Sequence, residues 1–336
     1  MHKIHLENDK KRIIALTVAL AVTVVIAVYL VVLNLKSPAD TDENHVLDIA
    51  VITKSSDSSF WKEFIYGIDA AAQEFNINYY TDAPANEEDS ETQISMIEKA
   101  INDDVDVIVL SAISAEEAAT YVNRAQNMGI KVIIADSGVD TDNINLEVGT
   151  DNYKAGMQMG DAVREMDTDV INVGIVNFDA STDNGQLREQ GFRDAVSVDD
   201  RINIIDAINV SSNVTSAKQG TKDMLASHPE INVVVTMNEW TTLGVGYAIE
   251  DLECAGGVQV YGFDSNRFCI DMLETGYIDG LIVQNPFAMG YLCIENAYNL
   301  YQGKTVNDKK IYTDTFLVTR ENLYDTETQK VIFSIK

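Results

Sequence analysis

The sequence predicts an α/β protein of two doubly wound lobes, each on a parallel sheet, preceded by one long apolar helix. Three observations predict it. Short β-branched runs alternate with amphipathic helical stripes from Val46 onward. The alternation runs through at least eight strand–helix units in about 290 residues, more than one ordinary hydrophobic core holds. Ahead of it, Ile13 to Leu35 is a 23-residue run with no charged side chain. A (β/α)8 barrel is the rival architecture, but a barrel distributes its polar residues after each of eight strands.

The apolar run comes first in the chain. As a helix it would be about 34 Å long, enough to span a bilayer core. Lys3, Lys10, Lys11 and Arg12 precede it against Glu7 and Asp9; Lys36 and then Asp40, Asp42 and Glu43 follow. The positive-inside rule puts residues 1–12 in the cytoplasm and the rest of the chain outside a single-pass anchor at 13–35. A cleaved signal sequence is the alternative. Its apolar core usually runs roughly 7–15 residues, shorter than this one, although Ser37 and Ala39 offer a small-x-small pattern. No cysteine follows the run, which excludes a lipid-bearing cysteine there. Residues 36–45 are polar, contain Pro38, and read as a tether.

Beyond the tether, Val46–Thr53 is a short apolar run suited to a buried parallel strand. Phe60, Phe64, Ile65, Ile68, Ala71, Ala72 and Phe75 then recur at helical spacing. Strands follow at Ile77–Thr81, Val105–Leu110 and Lys131–Ala135, separated by helices at Glu88–Asp103 and Ala115–Met128. The second half repeats the rhythm. Strands are expected at Ile171–Asn177, Ile202–Val210, Ile231–Thr236, Val258–Phe263 and Leu281–Gln284. Helices are expected at Asn184–Val196, Thr215–Ser227 and Phe287–Tyr301.

Charge narrows the partners. The chain has 24 Lys and Arg against 53 Asp and Glu, a net of −29. Residues 1–36 hold five basic and two acidic residues, so the remainder carries 19 against 51, a net of −32. That acidity argues against nucleic acid, and against an anionic lipid surface except near the N-terminus. Hydrophobic content of 46% excludes a disordered chain. Cys254, Cys269 and Cys293 are odd in number and lack C-x-x-C spacing, so neither a disulfide framework nor a cysteine metal cluster is implied.

In open α/β sheets, ligands sit beyond the carboxyl ends of the strands. Those ends carry Ser58, Ser59, Phe60 and Trp61, then Asp136 and Ser137 in the first half. In the second half they carry Asn238, Glu239 and Trp240, then Asp264, then Gln284 and Asn285. Carboxylates accept paired bonds from adjacent hydroxyls, amides both donate and accept, and aromatic faces pack on the C–H face of a sugar ring. The set suits a neutral polyhydroxylated ligand. Each Asp or Asn after a strand also suits simple helix capping, and Phe60–Trp61 also suits the core.

Catalysis finds little in the sequence. His2, His5 and His45 lie in the N-terminal tail and tether, and His228 precedes Pro229 at a helix end. No Ser-His-Asp or Cys-His arrangement, GxGxxG fingerprint or phosphate loop is present. The acidic stretch Asp140–Asp151 lacks the glycine and terminal glutamate of a calcium loop and reads as a solvated loop. Asp136 and Asp264 as a glycosidase pair is the remote enzymatic alternative. No catalytic residue, cofactor or metal is expected.

Several stretches resemble, in order, the type I periplasmic sugar-binding proteins of the ribose-binding kind, whose fold LacI-type repressors share in their ligand domains. The first-lobe stretches are SSFWKEFIYGIDAAAQEF (Ser58–Phe75), VDVIVLSAIS (Val105–Ser114) and GIKVIIADSG (Gly129–Gly138), and VGTDNYKAGMQMG (Val148–Gly160) resembles the DN-x-x-G crossover into the second lobe. The second-lobe stretches are LREQGFRDAV (Leu187–Val196), MNEWTTLG (Met237–Gly244), VYGFDS (Val260–Ser265) and LIVQNPFAMG (Leu281–Gly290).

The resemblance implies two lobes, 46–149 plus 285–315 and 150–284 plus 316–336, joined by a three-strand hinge. Crossings are implied near Thr150, Gln284–Asn285 and Thr315–Val318. It implies ligand contacts from Ser58, Phe60, Trp61 and Asp136, then Asn238, Asp264 and Gln284. Where ribose-type members carry arginines, this chain has Ser137 and Gln186, with Arg188 close by. Thr215 replaces a frequent aromatic, and Trp240 is an added aromatic beside Asn238. These departures point away from ribose itself and leave a pentose, hexose or related polyol. The implied partner is the permease of an ABC-type sugar importer; a membrane histidine kinase or chemoreceptor is the sensing alternative. A repressor needs a helix-turn-helix where the apolar run stands. The implied location is a cell membrane, with the binding lobes extracellular or periplasmic.

Overall fold

The computed structural model describes Thr23 and residues 46–178, 182–306 and 308–332. Apart from Thr23, the apolar run and the tether lie outside the described residues. The expectation of an anchor, and its cleaved alternative, fall there. Among the described residues no helix is long and apolar enough to cross a membrane.

Strand β1 (Asp48–Ile52) opens the first lobe. Helix α1 (Ser59–Phe75) starts where the Ser58 Oγ accepts the Phe60 N–H, and stops at Asn76, whose left-handed backbone (φ 54°) cannot continue it. Then come β2 (Asn78–Asp82), α2 (Ser90–Asn102), β3 (Val107–Leu110), α3 (Ala115–Asn127), β4 (Lys131–Ala135) and β5 (Leu146–Thr150). The chain leaves this lobe after β5 to form α4 (Asn152–Arg164), β6 (Ile171–Phe178), α5 (Asp183–Val196), β7 (Ile202–Val210) and α6 (Val214–Ser227). The second lobe continues through β8 (Val233–Thr236), α7 (Glu239–Asp251), β9 (Gln259–Phe263), α8 (Arg267–Thr275) and β10 (Gly280–Val283). Helix α9 (Pro286–Tyr301) and β11 (Lys310–Thr313) return to the first lobe; β12 (Phe316–Thr319) and α10 (Thr326–Ile332) finish on the second.

Two six-stranded sheets result, in the orders β11-β5-β4-β3-β1-β2 and β12-β10-β9-β8-β6-β7. The first is wholly parallel, with β1 between β2 and β3 (Ile49 opposite Tyr79 and Val107). The second departs from the all-parallel expectation. Strand β12 runs antiparallel to β10, pairing Leu281 with Val318. The cause is geometric: β11 runs parallel to β5 toward the carboxyl edge of the first sheet, and the two residues Asp314 and Thr315 carry the chain straight across to the carboxyl edge of the second, so β12 enters that sheet in the reverse direction.

Each sheet is covered on both faces. Ile49 and Val51 pack on Phe64, Ile68 and Met289 from α1 and α9. Their neighbours Ala50 and Ile52 face the other way, onto Ile97, Ile101 and Val122 from α2 and α3. This is the two-residue period of a strand buried on both sides. The second sheet repeats it. Val233 and Val235 join Met159 and Phe192, while Val234 joins Ala217, Val245 and Ile249.

The acidic stretch Asp140–Asp151 is not one solvated loop. Turns reach Asn145, Leu146–Thr150 is the buried strand β5, and the Asp151 carboxylate caps α4 through the Lys154 N–H.

A cleft between the two sheets

The carboxyl ends of both sheets meet in a cleft, and equivalent positions in the two lobes are built alike. Asp136 follows β4 and Asp264 follows β9; both have left-handed backbones, φ 59° and 71°. Aspartate tolerates that region better than most residues because its short side chain bonds locally. The Asp136 N–H donates to the Val148 carbonyl of β5, and the Asp264 N–H to the Ile282 carbonyl of β10, both at 2.9 Å. Each carboxylate is thereby carried off its strand end into the cleft.

Arg188 lies at the centre of the second-lobe wall. It is 2% exposed, yet every guanidinium nitrogen is bonded. Nε donates to Asn152 Oδ1 at 2.9 Å, one terminal nitrogen to the Met237 carbonyl at 2.7 Å, and the other to Gln284 Oε1 at 3.0 Å. The guanidinium also stacks 4.3 Å from the Phe263 ring centre. Burial lowers its pKa, opposed by the charges of Asp264, Asp136 and Glu87. Close helix packing delivers it: a Cβ on Gly156 would stand 2.0 Å from the Arg188 carbonyl oxygen, and one on Gly191 2.0 Å from that of Tyr153. Only glycine permits α4 and α5 to approach so closely.

Gln284 connects this arginine to a carboxylate. Its Oε1 accepts from Arg188 and from the Thr150 hydroxyl at 2.7 Å, and its Nε2 donates to Asp264 Oδ1 at 2.7 Å. Burial pushes the Asp264 carboxyl up to about 7. Arg188 works against that, Glu239 reinforces it, the Gln284 bond opposes it and Asp136 reinforces it. Desolvation outweighs the nearby cation because the arginine is shared among three other acceptors.

Bonds between the lobes draw the walls together. Ser58 and Ser59 donate to the two oxygens of Glu239 at 2.6 and 2.9 Å, and Asn266 adds a third bond at 3.0 Å. The Asn184 amide donates to Asp136 Oδ2 at 3.1 Å and to the Ser137 hydroxyl at 3.0 Å. Ser137 donates in turn to Asp136 Oδ2 at 2.8 Å, and buried Lys54 donates to Ser137 at 3.1 Å. Glu87 accepts from the Trp61 indole and from Ser212. Among the described residues no side chain donates to Asp136 Oδ1 or Asp264 Oδ2, which leaves each carboxylate one oxygen for a ligand.

Nine of the sequence-predicted residues line one small cavity of about 40 Å³: Ser58, Phe60, Trp61, Asp136, Arg188, Asn238, Trp240, Asp264 and Gln284. Phe60 and Trp61 meet edge to face at 4.9 Å at its rim. Ser137 stands behind Asp136 as its buried partner. Gln186 is not part of this wall: it is exposed, and the cleft-facing residues of α5 are Asn184 and Arg188. The reason is helical. Residues four apart share a face, whereas one two positions along points roughly 200° away. Sequence reading places Glu239 among the strand-end residues but not among the ligand contacts, and it leaves out Glu87, Asn184 and Lys54, which carry no local signal. Asn238 combines both of its expected roles: it makes a capping box with Thr241 and faces the cavity.

No group of three metal-ligating side chains is placed to hold an ion among the described residues. His228, the histidine among them, caps the end of α6 beside Asp206 and Glu230, away from the cavity lining.

Two lobes on parallel sheets, with a polar cleft at their carboxyl ends, define a bilobal solute-binding fold. The chain belongs to the periplasmic binding protein domain family, which matches residues 49–305. It is 25% identical over 282 residues to the D-ribose/D-allose-binding protein of Pseudomonas aeruginosa, covering 81% of this chain and 88% of that protein. A carbohydrate transporter solute-binding protein from Agrobacterium radiobacter, solved with D-arabinose, superposes with a TM-score of 0.82 at 25% identity, over 86% of this chain and all of that one. An ABC transporter solute-binding protein from Agrobacterium vitis, solved with D-fucose, gives 0.80 at 27% identity, over 85% of this chain and all of that one. The family resemblance read from the sequence is borne out. These relatives are named as binding or transport proteins, none as an enzyme.

Proposed function

We propose that this chain is an extracytoplasmic receptor that clamps a small sugar between its lobes and presents the closed form to the permease of an ABC-type importer. One observation carries the reading: two equivalent carboxylates, Asp136 and Asp264, each offer an open oxygen across one cavity that also holds Arg188, Gln284 and the Phe60–Trp61 pair. Adjacent sugar hydroxyls donate to the carboxylates, the amides of Gln284, Asn184 and Asn238 serve hydroxyls in either sense, and the aromatic rim packs on the ring. The names of the relatives, several of them pentose or hexose binders, support a monosaccharide or related polyol.

The mechanism is conformational. Lobes 46–149 plus 285–315 and 150–284 plus 316–336 bend about crossings near Thr150, Gln284–Asn285 and Asp314–Thr315. A ligand that touches both walls binds the closed form more tightly and shifts the equilibrium toward it. The side chains of Ser58, Ser59, Asn184 and Glu87 already bond across to the opposite lobe and supply closing contacts. The family supports a location outside the cytoplasm, and the uncharged run at 13–35 supports a membrane tether. The same run, with no lipid-bearing cysteine after it, supports the second reading, a sensing co-receptor for a membrane kinase.

A thermal-shift panel of pentoses and hexoses tests the central claim. A true ligand at a hundredfold excess over its Kd adds about 2.7 kcal/mol of stability. No shift with any sugar, together with turnover of a glycoside, overturns the receptor reading. Retention of the chain in carbonate-washed membranes tests the tether. Co-purification with permease and ATPase subunits, rather than with a kinase, selects transport over sensing.

A further inference from the structure

A second and far larger chamber adjoins the cleft. It has a volume of about 730 Å³ and is bounded by α1, α8, the start of α9 and the C-terminal helix α10. Phe60, Glu239, Asp264 and Gln284 line both this chamber and the small cavity, so the two adjoin across these side chains. Ligand sites usually fall at about 300–1,000 Å³. The chamber lies within that range, and the inner cavity, at about 40 Å³, lies well below it. The polar clamp therefore grips a small group, while the space for the bulk of a ligand is next door.

The lining says what the chamber accepts. Phe60 and Phe287 supply apolar ring faces of the kind sugars pack against. Its charged groups are five carboxylates (Glu63, Glu239, Asp264, Asp271, Glu274) against Arg267 and Lys330. An anionic substituent there meets a net negative wall in a confined space, whereas hydroxyls meet an excess of acceptors.

From this we infer that the ligand is longer than one ring: a disaccharide without acidic groups, the first ring reaching its hydroxyls into the polar clamp and the second lying farther out in the chamber beside α8. The inference rests on the sugar-binding reading above and deepens it. Asp271 is exposed on the chamber wall and makes no contact with the clamp, so it serves to block the space without touching the inner site.

Isothermal titration of the full-length chain tests it with glucose, galactose and ribose, and with melibiose, maltose, cellobiose, lactose and trehalose. Digalacturonate is the anionic control. We expect at least one neutral disaccharide to bind tenfold or more tighter than its component monosaccharides, and digalacturonate not to bind. Asp271→Trp should erase that difference and leave monosaccharide affinity unchanged, while Asp271→Ala keeps it. Monosaccharide binding with no disaccharide advantage overturns the inference and leaves the receptor reading standing. A disaccharide advantage that survives Asp271→Trp overturns the chamber as its site. Failure of every saccharide to bind overturns both readings.

Discussion

Replacing Asp264 by Asn removes a buried charge and keeps the shape of the side chain. Burial takes this carboxyl from an ordinary 3.8 up to about 7, despite Arg188. Its folded pKa is raised above the unfolded one, so its contribution to stability is full below about pH 4 and is lost as the pH rises through about 7. Measured from the acid limit, ionising it costs the fold about 2 kcal/mol by pH 5.5 and about 4 kcal/mol by pH 8. Asparagine does not titrate and still offers a carbonyl oxygen to the Gln284 amide. The stability of Asp264→Asn relative to wild type should therefore rise by about 2 kcal/mol between pH 5.5 and pH 8. Urea denaturation of both proteins at the two pH values, with m-values compared to confirm the same transition, reads the difference directly. A stability difference that does not change with pH, or that falls as the pH rises, refutes the reasoning. The same variant should bind sugar more weakly although it folds more stably at pH 8, because it has lost an ionised acceptor.

Other outcomes follow from the same site. If a hydroxyl ligand needs Asp264 ionised, affinity falls about tenfold from pH 8 to pH 6, with proton release visible as buffer-dependent titration heats; a flat profile counts against it. Glu239→Ala removes the acceptor of Ser58 and Ser59 across the lobes, at roughly 1.5–3 kcal/mol per charged hydrogen bond. Small-angle scattering should then show a more open molecule, and sugar affinity should drop at least tenfold with an unchanged far-UV spectrum. Gly156→Ala would drive a Cβ into the Arg188 carbonyl, so α4 and α5 must part. A loss of about 3 kcal/mol in urea denaturation is expected, with sugar binding impaired in the fraction that folds.

Much of this architecture was legible because buried parallel strands write themselves as β-branched runs. Strand β3, VIVL, and strand β8, VVVT, are wholly buried and were found within two residues of their true ends. Edge elements were harder. KIYT of β11 alternates half-buried with exposed residues, and its pairing with β5 is a long-range choice the local pattern does not contain. Helix α7 was missed for the opposite reason: residues 241–246, together with Ala248 and Ile249, are all buried, so it has no polar face and no stripe to read. At the site, strand ends pointed correctly to Asp136 and Asp264 because topology alone places them. Helical residues were read less well. The family resemblance implies Gln186 by position, whereas the helix phase turns Asn184 and Arg188 to the cavity. Glu87 gave no local sign at all, since its role appears only when Ser212 arrives from the other lobe.

Arg188 explains why binding and bending belong to one device. Its three nitrogens reach Asn152, just past the crossing at Thr150, the Met237 carbonyl inside the second lobe, and Gln284, at the crossing into α9. Thr150 bonds the same oxygen of Gln284, so two of the crossings share one acceptor. That acceptor's amide nitrogen holds Asp264, whose second oxygen faces the ligand space. Any hydroxyl that bonds Asp264 changes the charge Gln284 sees, and through it the balance of partners on Arg188. A lysine could not replace this residue: one ammonium on a flexible stem cannot hold three fixed acceptors in a plane and stack on Phe263. On the proposed reading, a ligand bonded to Asp264 is sensed at the hinge through Gln284, itself a residue of the crossing.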